Sequence, residues 1–337
     1  MKTVLIIFTG VILSIFAGCE SKARKENSIS TNKILLTVDF QQNQTLEYKF
    51  TSIRVTKIDW DPTKSASEST GTTITEYPES MEMVVVYTPI QVDPYGLTTI
   101  KATCKSVKVT RSRGSGGRAD RKDAVESLPG ESFNFTVGPT GKIEDYSQLK
   151  QLIQKIGKEA FREDRSQGRI KEPDMIDDFI ATQWFLWDSI SSLKNSTEGV
   201  EVGQAWKSVL SVPTSMVLKG ARDVTYKLHE IRRSKKERLA VILSSYEDAK
   251  SIPRSWPIPY SGRFQLSGPL GFLWMFSKGF KVLSLQGQGE ELFNIDAGRT
   301  EQYNQEYQVL LEASSTPLPG AKPQVTIEQK LTMQLIE

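Results

Sequence analysis

Leu46-Glu47-Tyr48-Lys49-Phe50 alternates apolar and polar side chains with a period of two. That is the pattern of a strand with one buried face, and the run predicts a strand over Thr45–Ile58. Outward from it, β-branched or alternating runs predict further strands at Ile34–Phe40, Met81–Val92, Leu97–Thr110 and Phe133–Val137. Asp93-Pro94-Tyr95-Gly96 and Gly138-Pro139-Thr140-Gly141 read as turns between them. Asp61–Gly71 and the basic, glycine-rich Arg111–Asp123 read as loops. Late in the chain Val224, Tyr226 and Leu228 alternate, and Arg238–Ser245, Glu291–Ile295, Thr300–Ala313 and Val325–Ile336 read as strands. Trp256-Pro257-Ile258-Pro259-Tyr260 cannot sit centrally in a sheet, because its two prolines remove ladder donors.

Between the two β portions the texture changes. Leu149, Leu152, Ile153, Ile156 and Ala160 fall on one helical face. Ile176, Phe179, Ile180, Leu186, Trp187, Ile190 and Leu193 continue helically after Pro173. Two helices are expected, about Asp145–Arg165 and Asp174–Lys194, with Pro173 near the start of the second and its apolar side against a sheet. Leu46–Phe50 matches Val224-Thr225-Tyr226-Lys227-Leu228. Gly141-Lys142-Ile143-Glu144-Asp145-Tyr146 matches Gly298-Arg299-Thr300-Glu301-Gln302-Tyr303. An apolar strand lies between the members of each pair. The fold class expected is α+β: mainly antiparallel β-sheet, a duplicated β-meander with a two-helix insert. Chance likeness of strand patterns, which carry little information, is the alternative to duplication. The expected divisions are 1–18, 19–32, 33–144 (first β portion), 145–195 (helical insert) and 196–337 (second β portion).

The first nineteen residues set an address. Lys2 precedes an apolar run from Val4 to Phe16, then Ala17-Gly18-Cys19. A charged start, a short apolar core and small residues before a cut define a secretory signal peptide, and this core is too short to span a bilayer. Phe16-Ala17-Gly18-Cys19 resembles the lipobox of bacterial lipoproteins, with Phe16 where that family usually carries Leu. The resemblance implies cleavage between Gly18 and Cys19, lipidation of the Cys19 thiol and acylation of its new amino group. Acyl chains contribute about 0.8 kcal/mol per buried methylene, and two lipid signals already anchor stably. Glu20-Ser21 follows the cysteine rather than the Asp that often marks inner-membrane retention, which favours the outer membrane, facing the periplasm. Glu20–Asn32 is polar and reads as a flexible tether.

Chemistry is bounded mostly by exclusion. The chain has a formal charge of +3, one histidine and two cysteines. Balanced charge implies no nucleic-acid partner. With Cys19 lipidated, Cys104 is alone, so no intramolecular disulfide framework is possible. It lies in an alternating run and reads as a small core residue. His229 alternates outward beside Leu228. Multi-histidine zinc sites are excluded, and neither a metal nor another cofactor is expected. Gly114-Ser115-Gly116-Gly117-Arg118-Ala119 lacks the strand and helix that a dinucleotide fingerprint needs. Gly138-Pro139-Thr140-Gly141-Lys142 lacks the first Gly and the final Ser or Thr of a phosphate loop, and Asp59-Trp60-Asp61 fails as a calcium loop at Thr63 and Lys64. The two Ser-x-x-Lys matches, at Ser147 and Ser191, lack companion motifs. Asp174, Asp177 and Asp178 read as acidic residues favoured at a helix start.

Two features suggest binding. Basic residues cluster at Arg111, Arg113, Arg118, Arg121 and Lys122 and again, at a hairpin tip, at Arg232, Arg233, Lys235, Lys236 and Arg238. Either set suits an anionic lipid or polysaccharide surface; solvated hairpin tips are the plainer reading. Trp184, Phe185, Trp187, Trp256, Tyr260, Phe272, Trp274 and Phe276 supply core and offer the lining of an apolar cavity. The body, with Val202-Gly203-Gln204-Ala205-Trp206 followed by Tyr226-Lys227-Leu228, resembles a family of uncharacterised, β-rich secreted lipoproteins of planctomycete-type bacteria, which implies an address and no chemistry. The expectation is therefore a membrane-anchored cell-envelope lipoprotein, not an enzyme, that binds or scaffolds a hydrophobic ligand or an envelope protein. A hydrolase using paired carboxylates on envelope polysaccharide is the alternative.

Overall fold

The computed structural model describes residues 33–62, 74–111, 123–160, 174–194, 198–215, 220–233, 237–249, 273, 280–313 and 322–336. The leader and tether, and with them Gly18 and Cys19, lie outside the described residues. From residue 33 onward the chain forms one compact unit. Its strands are β1 (Leu46–Asp59), β2 (Ile74–Val92), β3 (Thr98–Arg111), β4 (Ser132–Val137), β5 (Ile143–Asp145), β6 (Ala205–Ser215), β7 (Gly220–Arg233), β8 (Arg238–Asp248), β9 (Phe280–Asn294), β10 (Arg299–Ala313) and β11 (Gln324–Leu335). Three helices, α1 (Ser147–Ala160), α2 (Asp174–Phe185) and α3 (Asp188–Ser191), and a 3-10 turn (Ala124–Ser127) complete the described elements.

All eleven described strands join one sheet in the order β5-β4-β3-β2-β1-β11-β10-β9-β8-β7-β6. Every pairing is antiparallel. Strands β1 to β5 and β6 to β11 each follow one another in space, as short connections favour, while β5 and β6 stand at opposite edges and the two runs meet at the centre. There β1 pairs with β11 over the register Tyr48↔Leu335 to Asp59↔Gln324, a seam between the early and late parts of the chain. The expected α+β character is seen as a mainly antiparallel sheet with helices on one face.

The duplication is not reproduced strand for strand. Gly141 (φ 84°) and Gly298 (φ 60°) do occupy comparable turns, before β5 and before β10. Three strands, β2 to β4, separate β1 from the first turn, and only β8 and β9 separate β7 from the second. Ile34–Phe40, expected as a strand, makes only an isolated bridge, Ile34↔Val200. Its alternation is real, since Leu36 and Val38 are buried. Its backbone is held at separate points instead of along a ladder, with Asp39 N–H donating to the Gly298 carbonyl at 3.0 Å.

The helix expected over Asp174–Lys194 is broken after Phe185. Trp187 leaves helical geometry at φ −136°, ψ 6°, and its ring packs against Phe40 and Phe135, with centroids 5.4 and 5.6 Å apart. Burial of so large an aromatic side chain outweighs one helical turn. Gly141 makes room for it: a Cβ there would lie 3.0 Å from the Trp187 Cβ and 2.7 Å from Val38. Strand β9 begins earlier than the alternation predicts, because Gln286-Gly287-Gln288-Gly289 carries no apolar face to read. Those glycines are required. A Cβ on Gly287 would approach the Glu306 carbonyl and the Tyr246 ring at 2.5 and 2.7 Å, so Tyr246 of β8 lies across β9 and reaches Tyr303 of β10.

The side of the sheet that carries Tyr48, Phe50, Met83, Tyr87, Phe133 and Phe135 is buried beneath Ile176, Phe179 and Ile180 of α2. The register of β1 continues past Phe50 without a break, so Ser52, Arg54 and Thr56 are also turned inward, while Ile53 is 45% exposed. Cys104 is buried in the core as expected, and burial pushes its thiol up to about 12. His229 is exposed, at a register irregularity between β7 and β8.

Candidate functional site

The inner face carries a belt of buried polar residues contributed by strands far apart in sequence. At its β1 end, Arg54 donates to Asp178 Oδ1 at 2.8 Å and the Ser52 hydroxyl donates to Oδ2 at 2.7 Å. Asp178 is thus a buried partner on α2 and not the exposed helix-start acid that its sequence position suggests. Gln329 of β11 donates to Ser52 at 3.1 Å and accepts from the Tyr307 hydroxyl. Arg222 then stacks over Tyr307 and Tyr246, its guanidinium carbon 4.3 and 5.0 Å from their centroids, and donates to Gln305 at 2.8 Å. Cation–π contacts of this kind gain strength when desolvated.

A second cluster lies beneath α3. Asp188 is buried and accepts from Tyr226 at 2.6 Å, Ser208 at 2.8 Å and Ser192 at 3.1 Å. Burial raises its pKa against the lowering effect of those three hydroxyls. Glu291 of β9 is likewise buried, and loss of solvation pushes it up to about 7 despite the hydroxyls of Ser189 and Thr300 beside it; the Asp188 charge raises it further. The Thr300 hydroxyl has one proton and two oxygens in reach, Glu291 Oε1 at 2.7 Å and the Leu186 carbonyl at 3.0 Å. It can satisfy both only when Glu291 is protonated and itself donates. Two carboxyl groups therefore share a buried interior. Among the described residues Asp188 is held by side-chain hydroxyls and Glu291 by Thr300 through Oε1, with Glu291 Oε2 unpartnered, so the arrangement ties α3 to the sheet.

The opposite face is open. Over β6–β11 it forms a groove of about 830 Å³, within the range typical of ligand sites. Cross-strand register builds it from two rows. One runs Ala205, Lys227, Leu243, Glu290, Asn304, Thr332; the other runs Thr225, Ser245, Gln288, Glu306, Lys330. Gln288 donates to Glu306 at 3.1 Å, and Lys330 pairs with Glu306 at 3.5 Å.

Of the basic residues singled out in sequence, Arg111 is turned inward to Glu79, at 3.2 Å, and to Asp123. Arg232 is exposed and paired with Glu230 at 2.8 Å; Arg233 is exposed beside it, at the hairpin end expected. Arg113, Arg118, Arg121, Lys122, Lys235 and Lys236 lie outside the described residues. So do Trp256, Tyr260, Phe272, Trp274 and Phe276, and of the aromatic segment only the buried Leu273 is described. Among the described residues no group of three or more His, Cys, Asp or Glu is placed to hold a metal ion, and no helix is long and apolar enough to cross a membrane. Neither the belt nor the groove was readable beforehand. The one available signal was the polar run Ser52, Arg54, Thr56 in phase with Tyr48 and Phe50.

No family model matches the chain, and no curated protein does. Among solved structures, the chain is similar to lipovitellin, in a structure of its lipid-protein interactions. Identity there is 12% and the TM-score 0.42, over 89% of this chain and 26% of that one. The chain thus spans about a quarter of the lipovitellin chain. It is also similar to Pseudomonas aeruginosa OpdL, at 7% identity and TM-score 0.19, over 87% of this chain and 99% of that one.

Proposed function

We propose that the protein is a lipid-anchored cell-envelope lipoprotein whose β-rich body is a non-enzymatic binding or scaffold module for an envelope partner or a hydrophobic ligand. The observation that carries the binding reading is the asymmetry of the sheet. Its inner face is closed by core and buried polar contacts, and its outer face is open and grooved over six strands. The anchor rests on the leader, where Ala17-Gly18-Cys19 ends a short apolar core; acylation of Cys19 would hold the body at a membrane surface. An outer-membrane address follows from Glu20-Ser21 after the cysteine.

The competing hydrolase reading calls for two carboxylates facing a cleft. Asp188 and Glu291 are each 1% exposed and bonded to the hydroxyls of their own chain, which favours a module that binds without reacting.

Fatty-acid labelling of cells that express the full chain or its Cys19→Ala variant tests the anchor. The parent is expected to incorporate label and sediment with membranes. Cys19→Ala is expected to lose the label and leave an uncleaved or detachable form. A Cys19→Ala chain that labels as well as the parent and stays on the membrane would overturn the reading.

A further inference from the structure

Two charges that line the groove, Lys227 and Glu290, have no partner among the described residues. Elsewhere on the outer face, opposite charges close across a single strand gap: Lys49 with Glu82 at 3.1 Å, Lys57 with Glu328 at 2.8 Å, Lys330 with Glu306 at 3.5 Å. Lys227 and Glu290 share one cross-strand row but stand on β7 and β9, with Leu243 of β8 between them. Neither has an ion pair or hydrogen bond among the described residues. Their backbones are two strand spacings apart, roughly 10 Å. Both charges line the groove.

We propose that this groove binds a short zwitterionic peptide segment lying across the strands, with its carboxylate on Lys227 and its ammonium on Glu290. The inference rests on the reading of the body as a binding module and names the chemistry of what it takes. A fully extended tripeptide with free termini spans about 10 Å, which matches the separation of the two backbones from which these charges project. Leu243 lies beneath its middle, and Asn304, Ser245 and Thr225 offer donors and acceptors to its amides. Lys227, Lys330, Glu290 and Glu306 sum to zero charge, so neither a polyanion nor a polycation is favoured. Strands β7 to β10 are paired on both sides. Recognition there is by side chains and not by addition of a strand to an edge.

Isothermal titration calorimetry of the full chain in detergent provides the test, with trialanine, N-acetyl-trialanine, trialanine amide and maltohexaose as probes. Free trialanine is expected to bind, and each blocked form to bind about tenfold more weakly. Lys227→Gln and Glu290→Gln, both on the open face, are each expected to weaken free trialanine about tenfold. Amidation should cost nothing further in Lys227→Gln, nor acetylation in Glu290→Gln. No binding of free trialanine, equal binding of free and blocked forms, no effect of either substitution, or equal competition by maltohexaose would each overturn the proposal. A lipidated chain that fails with trialanine removes only the groove assignment, whereas a chain that binds trialanine but does not label at Cys19 removes only the anchor.

Discussion

Asp178 and Asp188 sit on successive helices, are both buried under the same sheet, and are held in opposite ways. Asp178 meets a guanidinium: Arg54 answers its charge, and Glu79 lies 4.0 Å from that same arginine. Among the described residues Asp188 meets neutral hydroxyls, from Ser192, Ser208 and Tyr226. The first is a charge pair, in which the loss of either member removes the closest charge from the other. The second spreads one charge over several weak donors, and burial wins far enough to raise its pKa. One face can thus pin two helices, one by charge and one by dipoles, with different sensitivities to mutation and to pH.

The largest effect expected comes from the charge pair. Asp178→Ala leaves Arg54, 3% exposed, without its main partner. Breaking a buried pair in this way costs about 3–5 kcal/mol. Urea unfolding should show that loss, and Arg54→Met combined with Asp178→Leu should recover most of it. A cost below about 1 kcal/mol for Asp178→Ala would erase the distinction between the two anchors.

The second prediction concerns pH. Glu291 has a folded pKa of about 7 against an ordinary 4.5. Between those values the folded state holds a proton that the unfolded state has released, so stability falls as pH rises. The contribution is fully present below about 4.5 and gone above about 7, roughly 3 kcal/mol in all. Asp188, also raised, acts in the same direction. Unfolding free energies at pH 4.5 and pH 8 should therefore differ by about 3 kcal/mol more in the parent than in Glu291→Gln. Identical pH profiles for the two proteins would contradict a protonated Glu291.

The smallest effect belongs to a single dipole. Ser208→Ala removes one of three donors to Asp188 and should cost about 1.5 kcal/mol. It should also push the Asp188 pKa higher, because Ser208 lowers it, so the loss should be greater at pH 8 than at pH 5. A cost equal to that of Asp178→Ala would mean that Asp188 depends on a single partner after all.

Most strands were legible because alternation is local, and β1, β3, β10 and β11 lie within a residue or two of the ranges their sequences predict. What escaped was either featureless or long-range. Gln286-Gly287-Gln288-Gly289 has no apolar phase, so the middle of β9 gave no signal to join Phe280–Leu285 to its later half. The break at Trp187 depends on a pocket among Phe40, Phe135 and Gly141, which no helical periodicity contains. Arg54 and Asp178 are 124 positions apart, and each alone reads as an ordinary surface residue. Yet one inference was available: carrying the phase of Tyr48 and Phe50 forward places Arg54 inside, where an arginine calls for a buried carboxylate. The groove is a property of register across six strands, and no single segment encodes it.

The seam between β1 and β11 has a consequence in time. Ser52 and Gln329, bonded across it, are 277 positions apart. At the usual 5–20 residues per second of synthesis, β1 waits roughly 15 to 55 s for the strand that will cover its second edge. Through that interval the future middle of the sheet is a raw margin, with Ile53 and Val55 on one side of it. Margins of that kind recruit neighbouring chains, so the most protected strand of the finished protein is the most vulnerable one during its manufacture.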